Sequence, residues 1–495
     1  MIRLGNATLP NANAIRPAYD RSKVTNGIVH LGIGAFARAH LAVYTEAALA
    51  AGDRGWGILA ASLRSPDTRD ALNPQDGLYS LAVRDESGEK LQVIGAVGHV
   101  LLAFEDPDRL IAAMAHRDIA IVSLSVTEKG YCHDAASGQL NELHPDILHD
   151  LAHPNLPVSA PGFLVAALAR RWRDGVPPFT IVSCDNLPGN GRLLKRLLVR
   201  LAGLQDPALA QMLEDHLACP CTMVDRIVPA TTSEDRARIS ASLGVRDAWP
   251  VVTEPFSQWV IEDDFPLGRP RWELMGAQFV ADVAPYEAMK LRLLNGAHSC
   301  IAYLGYLSRA TTVADAMDLP GMADYVARLM LEILPTLHVP DGFDAVGYCA
   351  ALIKRFCNPA LKHRTWQIAM DGSQKLPQRL LGTMRDRLAA GADIECLGLG
   401  VAAWMVYVTG VDLHGDAIDV RDPLAKDLRT LADAAGRDAA RLTAGLLGVE
   451  AVFGRDLPGD ARFVAAVTEA VRRVLARGRF WQSAEKIAIR NPGMT

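Results

Sequence analysis

The 495-residue chain sets 51 Lys and Arg against 56 Asp and Glu, a formal net charge of −5, and half of its residues are hydrophobic. A chain of this length exceeds what one core organises and points to two or three domains. Balanced charge without a long basic run excludes nucleic acid as an expected partner. Residues 1–10 lack the basic-then-apolar layout of a signal peptide, and the longest apolar run, residues 397–408, is too short to span a bilayer. That run reads as a buried helix, and no membrane partner is expected. Eight scattered cysteines fit a reducing, cytoplasmic setting rather than a disulfide framework. Cys219-Pro-Cys221 is the one close pair, and without a second Cys/His pair it makes a poor zinc site, so no metal is expected.

In chain order, residues 1–26 are irregular, broken by Pro10 and Pro17, and are expected to drape over the first domain. Gly27-Ile-Val-His-Leu-Gly32-Ile-Gly34-Ala-Phe36-Ala-Arg38-Ala-His40 reads as a buried strand, a glycine turn and a helix start. A helix over 41–51 and a strand over 56–63 complete a βαβ unit of dinucleotide-binding length. Gly32 and Gly34 let backbone pass close to a pyrophosphate, whose charge suits the free N–H groups of the next helix. Ala37 stands where a third glycine would complete G-x-G-x-x-G. At the end of the second strand, Ser62-Leu63-Arg64-Ser65 offers a basic residue where an acidic one bonds the adenosine ribose, which leaves a 2′-phosphorylated cofactor open.

Two alternating runs, 79–84 and 90–94, flank Asp85-Glu-Ser-Gly88 and predict a hairpin decorating this domain. A β-branched strand over 119–126 ends in Thr127-Glu128-Lys129-Gly130-Tyr131. The pattern repeats over 180–184, ending in Asp185-Asn186. Polar residues just past the carboxyl ends of parallel strands fall where open α/β sheets bind ligands. A helix over 192–204 and then Met223-Val224-Asp225-Arg226 follow. Beyond about 285 helical periods dominate. The fold class is thus an α/β Rossmann-type domain, residues 1–285 with the hairpin inserted, followed by a mainly α-helical domain, residues 286–495. The active site is expected in the interdomain cleft.

A mostly apolar helix is predicted over 285–307. At 100° per residue Leu291, Leu294, Ala297, Ile301 and Leu304 return toward packed neighbours, whereas Glu287, Lys290, Asn295 and His298 share a broad face. Measured from Lys290, Glu287 lies about 60° round the helix, His298 about 80° and Asn295 about 140°. Such a face is either a solvated stripe or the wall of a cleft. A second polar concentration, Lys362, His363, Arg364, Lys375 and Arg379, makes either a socket for a carboxylate or phosphate or an interdomain salt-bridge cluster.

A glycine turn, strand-end amides and a lysine–asparagine–histidine face together suit hydride transfer to or from a carbonyl. Asn186 and Asn295 can hold an oxygen on which negative charge develops. Lys290 can deliver or accept the proton if its pKa is lowered. His298 is better placed to orient substrate, and Gly296 is expected to leave room for substrate or cofactor beside the backbone.

At these residues the chain resembles the polyol-specific long-chain dehydrogenases, the mannitol dehydrogenase family. The motifs are Gly32-x-Gly-x-Phe36-x-Arg38-Ala-His40, Thr127-Glu128-x-Gly130-Tyr131, Ser183-Cys-Asp-Asn186, Met223-Val-Asp225-Arg226 and Lys290-x-Arg-x-Leu-Asn295-x-x-His298. Residues 126–140 and 363–379 are similar in wording to the fructuronate reductase (D-mannonate oxidoreductase) branch. The resemblance implies Lys290 as general acid/base, Asn186 with Asn295 as the oxyanion pair, His298 as a substrate contact, and Glu128 and Glu287 as proton-relay groups. It implies cofactor contacts at Gly32, Gly34, Phe36, Arg38, Val224 and Asp225, and Arg64 falls where preference is set. NAD is expected, with NADP open. The expected reaction is metal-independent interconversion of D-fructuronate and D-mannonate in the cytoplasm by a monomer, a substrate carboxylate meeting Arg364 or Lys375, with His363 beside them. The rivals are a mannitol 2-dehydrogenase, another polyol, ketose or tagaturonate oxidoreductase, and a catalytically dead nucleotide-sensing protein.

Overall fold

The computed structural model describes residues 1–134 and 137–476. The chain divides into two compact units, the first Met1–Ala284 and the second starting at Pro285.

In the first unit, β1 (Asn26–Leu31), β2 (Gly57–Ser62), β3 (Tyr79–Asp85), β4 (Gly88–Ile94), β5 (Val97–Leu102), β6 (Ile121–Leu124), β7 (Thr180–Ser183), β8 (Thr222–Asp225), β9 (Val251–Thr253), β10 (Gln258–Glu262) and β11 (Gln278–Val280) make three sheets. The principal one is parallel with order β5-β2-β1-β6-β7. Residues 27–31 of β1 are all buried, as expected for a central strand covered on both faces. Alternation sorts its side chains. Val29 and Leu31 join Val122 and Leu124 against Phe163, Leu164, Leu194 and Leu198, and Ile28 joins Ile58, Ile121 and Val182 in a second cluster with Tyr44, Trp259 and Trp272. The sheet continues to opposite sides of β1, through β2 and β6, so a crevice opens past the carboxyl ends of β1 and β6. Gly32 and residues 125–127 stand there.

β3 and β4 form the predicted hairpin in antiparallel register, with β9 added parallel to β3. The N-terminal stretch covers this sheet: Leu4 and Ala12 are buried with Leu78, Val93, Leu243 and Val245. The helix predicted without interruption after the glycine turn is broken. It runs Ala35–Ala39, turns at His40 (φ −122°, ψ −90°), and resumes as Leu41–Ala50. The His40 Nε2 bonds the carbonyl of Gln258, and its ring meets Phe36, Tyr44 and Trp259. Aromatic packing thus overrides helical propensity at that residue.

The second unit is helical around one large cluster. Two helices are buried on every side, Gly296–Leu307 and Glu395–Tyr407; uniform apolarity places such helices inside. The latter is preceded by Ile394, whose side chain cannot cap it. Instead the Glu332 carboxylate accepts the N–H groups of Cys396 and Leu397 at 2.9 and 3.0 Å, a negative group at a helix N-terminus. No helix among the described residues is long and apolar enough to cross a membrane.

The predicted straight helix over 285–307 is corrected. Ala284–Met289 and Gly296–Leu307 are α-helical, but residues Lys290–Asn295 between them form a π-turn. The Gly296 N–H reaches back five residues to the Leu291 carbonyl. Such wide turns recur at functional sites. Lys290 and Asn295, five apart, come nearer to lying one above the other than 100° steps allow, so the α-helical angles do not carry across this turn.

Candidate functional site

The first unit presents the glycine turn. Gly32 has φ +89°, and a Cβ there would fall 2.3 Å from the Ser125 carbonyl oxygen. Only glycine takes this conformation without strain while letting two strand ends pass so closely. Beneath the turn lies the His30 imidazole, fully buried, with Nδ1 2.8 Å from the Ser123 hydroxyl and Nε2 3.1 Å from that of Ser125. The Ser125 hydroxyl in turn donates to the Gly32 carbonyl at 2.8 Å. Burial pushes the His30 pKa down to about 4, so the ring is neutral.

A cavity of about 390 Å³ opens over this turn, lined among others by Gly32, Gly34, Ser62, Arg64, Ser125 and Thr127. The cradle suits a dinucleotide: backbone exposed by glycine, hydroxyls at the strand ends and an arginine at the rim. Arg64 is 75% exposed and pairs with Asp146 at 2.5 Å. A larger hollow of about 820 Å³ beside Trp172, Lys195 and His216 contains none of the residues singled out in the sequence.

The far wall of the cavity is irregular backbone. Thr127 has φ +66° and ψ 163°, a region that β-branched residues avoid. It precedes the short turn Glu128–Tyr131, in which the Gly130 N–H donates to the Thr127 carbonyl at 2.9 Å. Asp185 holds this ledge. Its carboxylate accepts the N–H groups of Val126 and Thr127, each at 2.9 Å, and the Tyr131 hydroxyl at 2.9 Å. Burial raises the Asp185 carboxyl above its usual range, against the pull of those donors. Asn186, the next residue, is exposed.

In the second unit Lys290 opens the π-turn and is 8% exposed. Asn295, half-buried, closes it. Arg379 donates to the Ser299 hydroxyl at 3.1 Å and to the Asn295 carbonyl at 3.5 Å. His298 is 6% exposed, its ring 4.7 Å from Phe356 and 5.2 Å from His363. Its Nε2 and the His363 Nδ1 are buried without hydrogen-bond partners among the described residues, which leaves each with bonding capacity unused. Burial, then His363, Arg355 and Arg379, hold His298 well below the usual imidazole range, and burial pushes His363 down to about 4. Both are neutral, able to donate or accept one hydrogen bond to a ligand oxygen.

Family models match both units: the mannitol dehydrogenase Rossmann domain over residues 26–274 and the mannitol dehydrogenase C-terminal domain over residues 282–475. The chain belongs to the mannitol dehydrogenase family. It is 48% identical over 483 residues to the D-mannonate oxidoreductase of Escherichia coli, covering 97% of this chain and 98% of the relative. It is 40% identical to the mannitol dehydrogenase DSF1 of Saccharomyces cerevisiae over 93% of this chain and 92% of the relative. Among solved structures, Pseudomonas fluorescens mannitol 2-dehydrogenase, a ternary complex with NAD and D-mannitol, superposes with a TM-score of 0.86 at 39% identity, over 95% of this chain and 96% of that one. The protein is therefore an oxidoreductase of the mannitol dehydrogenase family.

Against the family's motifs, the structure distributes the singled-out residues unevenly. Gly32, Gly34 and Arg64 line the cavity. Phe36 does not: it stacks on His40 at 4.9 Å. Arg38 is buried, its guanidinium bonded to the carbonyls of Gly34 and Trp249 and set over the Tyr79 ring, so it braces the turn from below. Val224 and Asp225 lie buried in β8. Glu128 is exposed on the ledge, and Glu287 is half-buried one turn before Lys290. Of the basic segment, Arg364 is exposed. The Lys375 ammonium donates to the carbonyls of Met370 and Ile368 at 2.5 and 3.4 Å, closing the end of the Thr365–Ala369 helix. Gly296 does not open space for a ligand. A Cβ there would meet the Arg379 carbonyl at 3.0 Å, so the glycine admits a neighbouring backbone.

Sequence reasoning missed Ser125 and Arg355 and the bracing role of Asp185, and it read Arg379 only as one cation of the basic segment. Asp185 had a signal, an acid directly past a buried strand, but Asn186 beside it drew the reading. The ligand atoms of Cys132, His144 and Asp146 come within 4.8 Å of one another, which their spacing does not announce. Asp146 is tied to Arg64, His144 Nδ1 accepts the Asp146 N–H, and burial pushes the Cys132 thiol up to about 12.

Proposed function

We propose that this protein interconverts D-fructuronate and D-mannonate with NAD, using Lys290 as general acid/base. The observation that carries the chemistry is Lys290 itself: an amine almost removed from solvent, set at the head of a π-turn that ends in Asn295. Lysine is seldom buried without a task for its charge. The choice of substrate is supported by the D-mannonate oxidoreductase relative, similar over 97% of the chain, and the choice of NAD by the NAD complex of the mannitol enzyme.

The residues of the glycine cradle, with Ser62, Arg64 and Ser125, would hold the dinucleotide. When bound, its nicotinamide supplies hydride to the carbonyl carbon or takes it back. Lys290 Nζ gives the proton to the carbonyl oxygen in reduction and takes the hydroxyl proton in oxidation. The side-chain amides of Asn186 and Asn295 donate to that oxygen as charge develops on it, each contributing roughly 3 kcal/mol in a dry site. Glu287, one turn before Lys290, and Glu128 pass the proton to water. His298 orients a substrate hydroxyl through its unpartnered Nε2. For the carboxylate, Arg364 is the better candidate, since the Lys375 ammonium already serves two carbonyls.

The test is NADH consumption with fructuronate and with fructose, in wild type and in Lys290→Ala. Turnover of fructuronate with a clear kcat/KM advantage over fructose, abolished in the variant, is the expected result. Preference for fructose and mannitol would turn the reading to a mannitol 2-dehydrogenase, which the yeast relative supports. Equal slow rates in both proteins would leave only nucleotide binding.

A further inference from the structure

We propose that Asp185 is a positioning residue for cofactor binding, pinning Val126 and Thr127 in the shape that forms one wall of the nucleotide cavity. The proposal rests on the reading of that cavity as the NAD site and goes beyond it in assigning a cause to its shape.

Three observations meet here. First, Thr127 holds φ +66° with ψ 163°, a combination open to glycine and costly for a β-branched residue. Backbone of this kind persists only where its surroundings over-determine it. Second, beside the Gly130 N–H on the Thr127 carbonyl, the surroundings that do so centre on one carboxylate. Asp185 Oδ1 accepts the Thr127 N–H, and Oδ2 accepts the Val126 N–H and the Tyr131 hydroxyl, all at 2.9 Å. Tyr131 is itself buried and shares its hydroxyl with Ser183, so the carboxylate joins the strand end of β6 to that of β7. Third, Val126, Thr127, Lys129 and Gly130 line the cavity, whereas Asp185 does not. It touches the ligand space only through the backbone it restrains.

Two adjacent N–H groups converging on two carboxylate oxygens form a charge-assisted pair that a neutral amide cannot reproduce. With asparagine at this position one oxygen becomes an NH2 group and faces an N–H, donor against donor. The ledge then relaxes toward ordinary β or helical backbone, and the wall over the glycine turn moves with it. A residue that merely stabilised the fold would lower the melting temperature without regard to the conformation of Thr127. A residue that acts by enforcing positive φ becomes dispensable once the position accepts positive φ unaided, as glycine does.

The experiment is a double-mutant cycle on the full chain, read as the NADH dissociation constant by fluorescence titration and as the melting temperature. Asp185→Asn should weaken NADH binding about tenfold or more. Adding Thr127→Gly should restore binding to within about threefold of wild type, the pair being strongly non-additive. Wild-type affinity in Asp185→Asn, or no recovery in the double variant, overturns the proposal. Should Asp185→Asn fail to fold, Thr127→Gly alone decides: relief of strain keeps its melting temperature at or above that of wild type, and a clear drop overturns the proposal. Failure of the wild type to bind NADH or NADPH would strike the nucleotide reading itself, and this proposal with it, whereas normal binding with an indifferent Asp185→Asn strikes the proposal alone.

Discussion

The ledge at Thr127 and the turn at Lys290 both abandon regular backbone, and they do so in opposite ways. At Thr127 one residue is forced into a region that suits glycine and is held by the side chain of Asp185. At Lys290 the residues that bracket the π-turn, Met289 and Gly296, keep helical dihedrals, and the departure is spread over a widened turn that leads into the buried helix Gly296–Leu307. The first arrangement depends on one pinning group, and the second on the packing of a whole core. Local removal of a contact should therefore disturb the nucleotide unit, while the lysine turn should tolerate the loss of its own chemistry without structural harm.

The sharpest way to break that comparison is Lys290→Ala. Activity should fall by about a thousandfold, within the range for loss of general acid/base catalysis. NADH affinity and melting temperature should stay near wild type, and a collapse in stability would show that the lysine holds the π-turn. Gly32→Ala tests the other side. The added Cβ meets the Ser125 carbonyl and inherits φ +89°, so NADH binding should weaken by about a hundredfold, measured by titration; unchanged affinity would remove the glycine turn from the site.

Acid should distinguish the units by another route. His30 in the first unit and His363 in the second are pushed down to about 4, and His298 lies well below the usual range. The unfolded chain binds these protons near pH 6.5. The stability they contribute is thus fully present above that value and is lost as pH falls from about 6.5 toward 4. For His30 alone the difference approaches 3 kcal/mol by pH 4, at about 1.4 kcal/mol per pH unit. His99 and His133 in the first unit are also lowered, though less strongly. The two deep depressions of the second unit stand against one of that size in the first, so the second unit should lose more, and urea unfolding at pH 7.5 and pH 5.0 with a probe in each unit checks it. Equal losses would contradict it. The smallest effect is expected at Arg64. Exposed and already paired with Asp146, it should change the NADPH-to-NADH ratio of kcat/KM only about threefold in Arg64→Ala. A loss of a hundredfold would make it a dedicated phosphate clamp.

What the sequence makes visible follows from what each feature depends on. The parallel sheet and the helical second half are legible because burial of β-branched runs and helical spacing are local patterns. Gly32 is legible for the same reason, since positive φ selects its own residue. The π-turn is not, because the apolar spacing around residues 290–295 satisfies an α-helix equally well, and the angles assigned to Asn295 and His298 inherited that assumption. Gly296 is read correctly as a place of close approach and given the wrong visitor, the Arg379 backbone. Asp185 and Arg379 are visible as a strand-end acid and a member of the basic segment, but their roles are not, because their partners lie in other segments, at residues 126–131 and at Ser299. Arg38, expected at the cofactor from the family motif, and Lys375, expected at a carboxylate from its charge, both bond carbonyls of the chain itself.

The hydrogen bonds around His30 also fix the direction in which protons point. A carbonyl oxygen only accepts, so the Nε2 that faces Gly32 and Ser125 must carry the hydrogen, and Nδ1 must take one from Ser123. If the ring is ever protonated, the new hydrogen arrives on Nδ1 and turns the Ser123 hydroxyl around, on the side away from the glycine loop. The imidazole is thus a one-way spacer whose titration is absorbed beneath the sheet, leaving the carbonyl of Gly32 where the neutral ring set it.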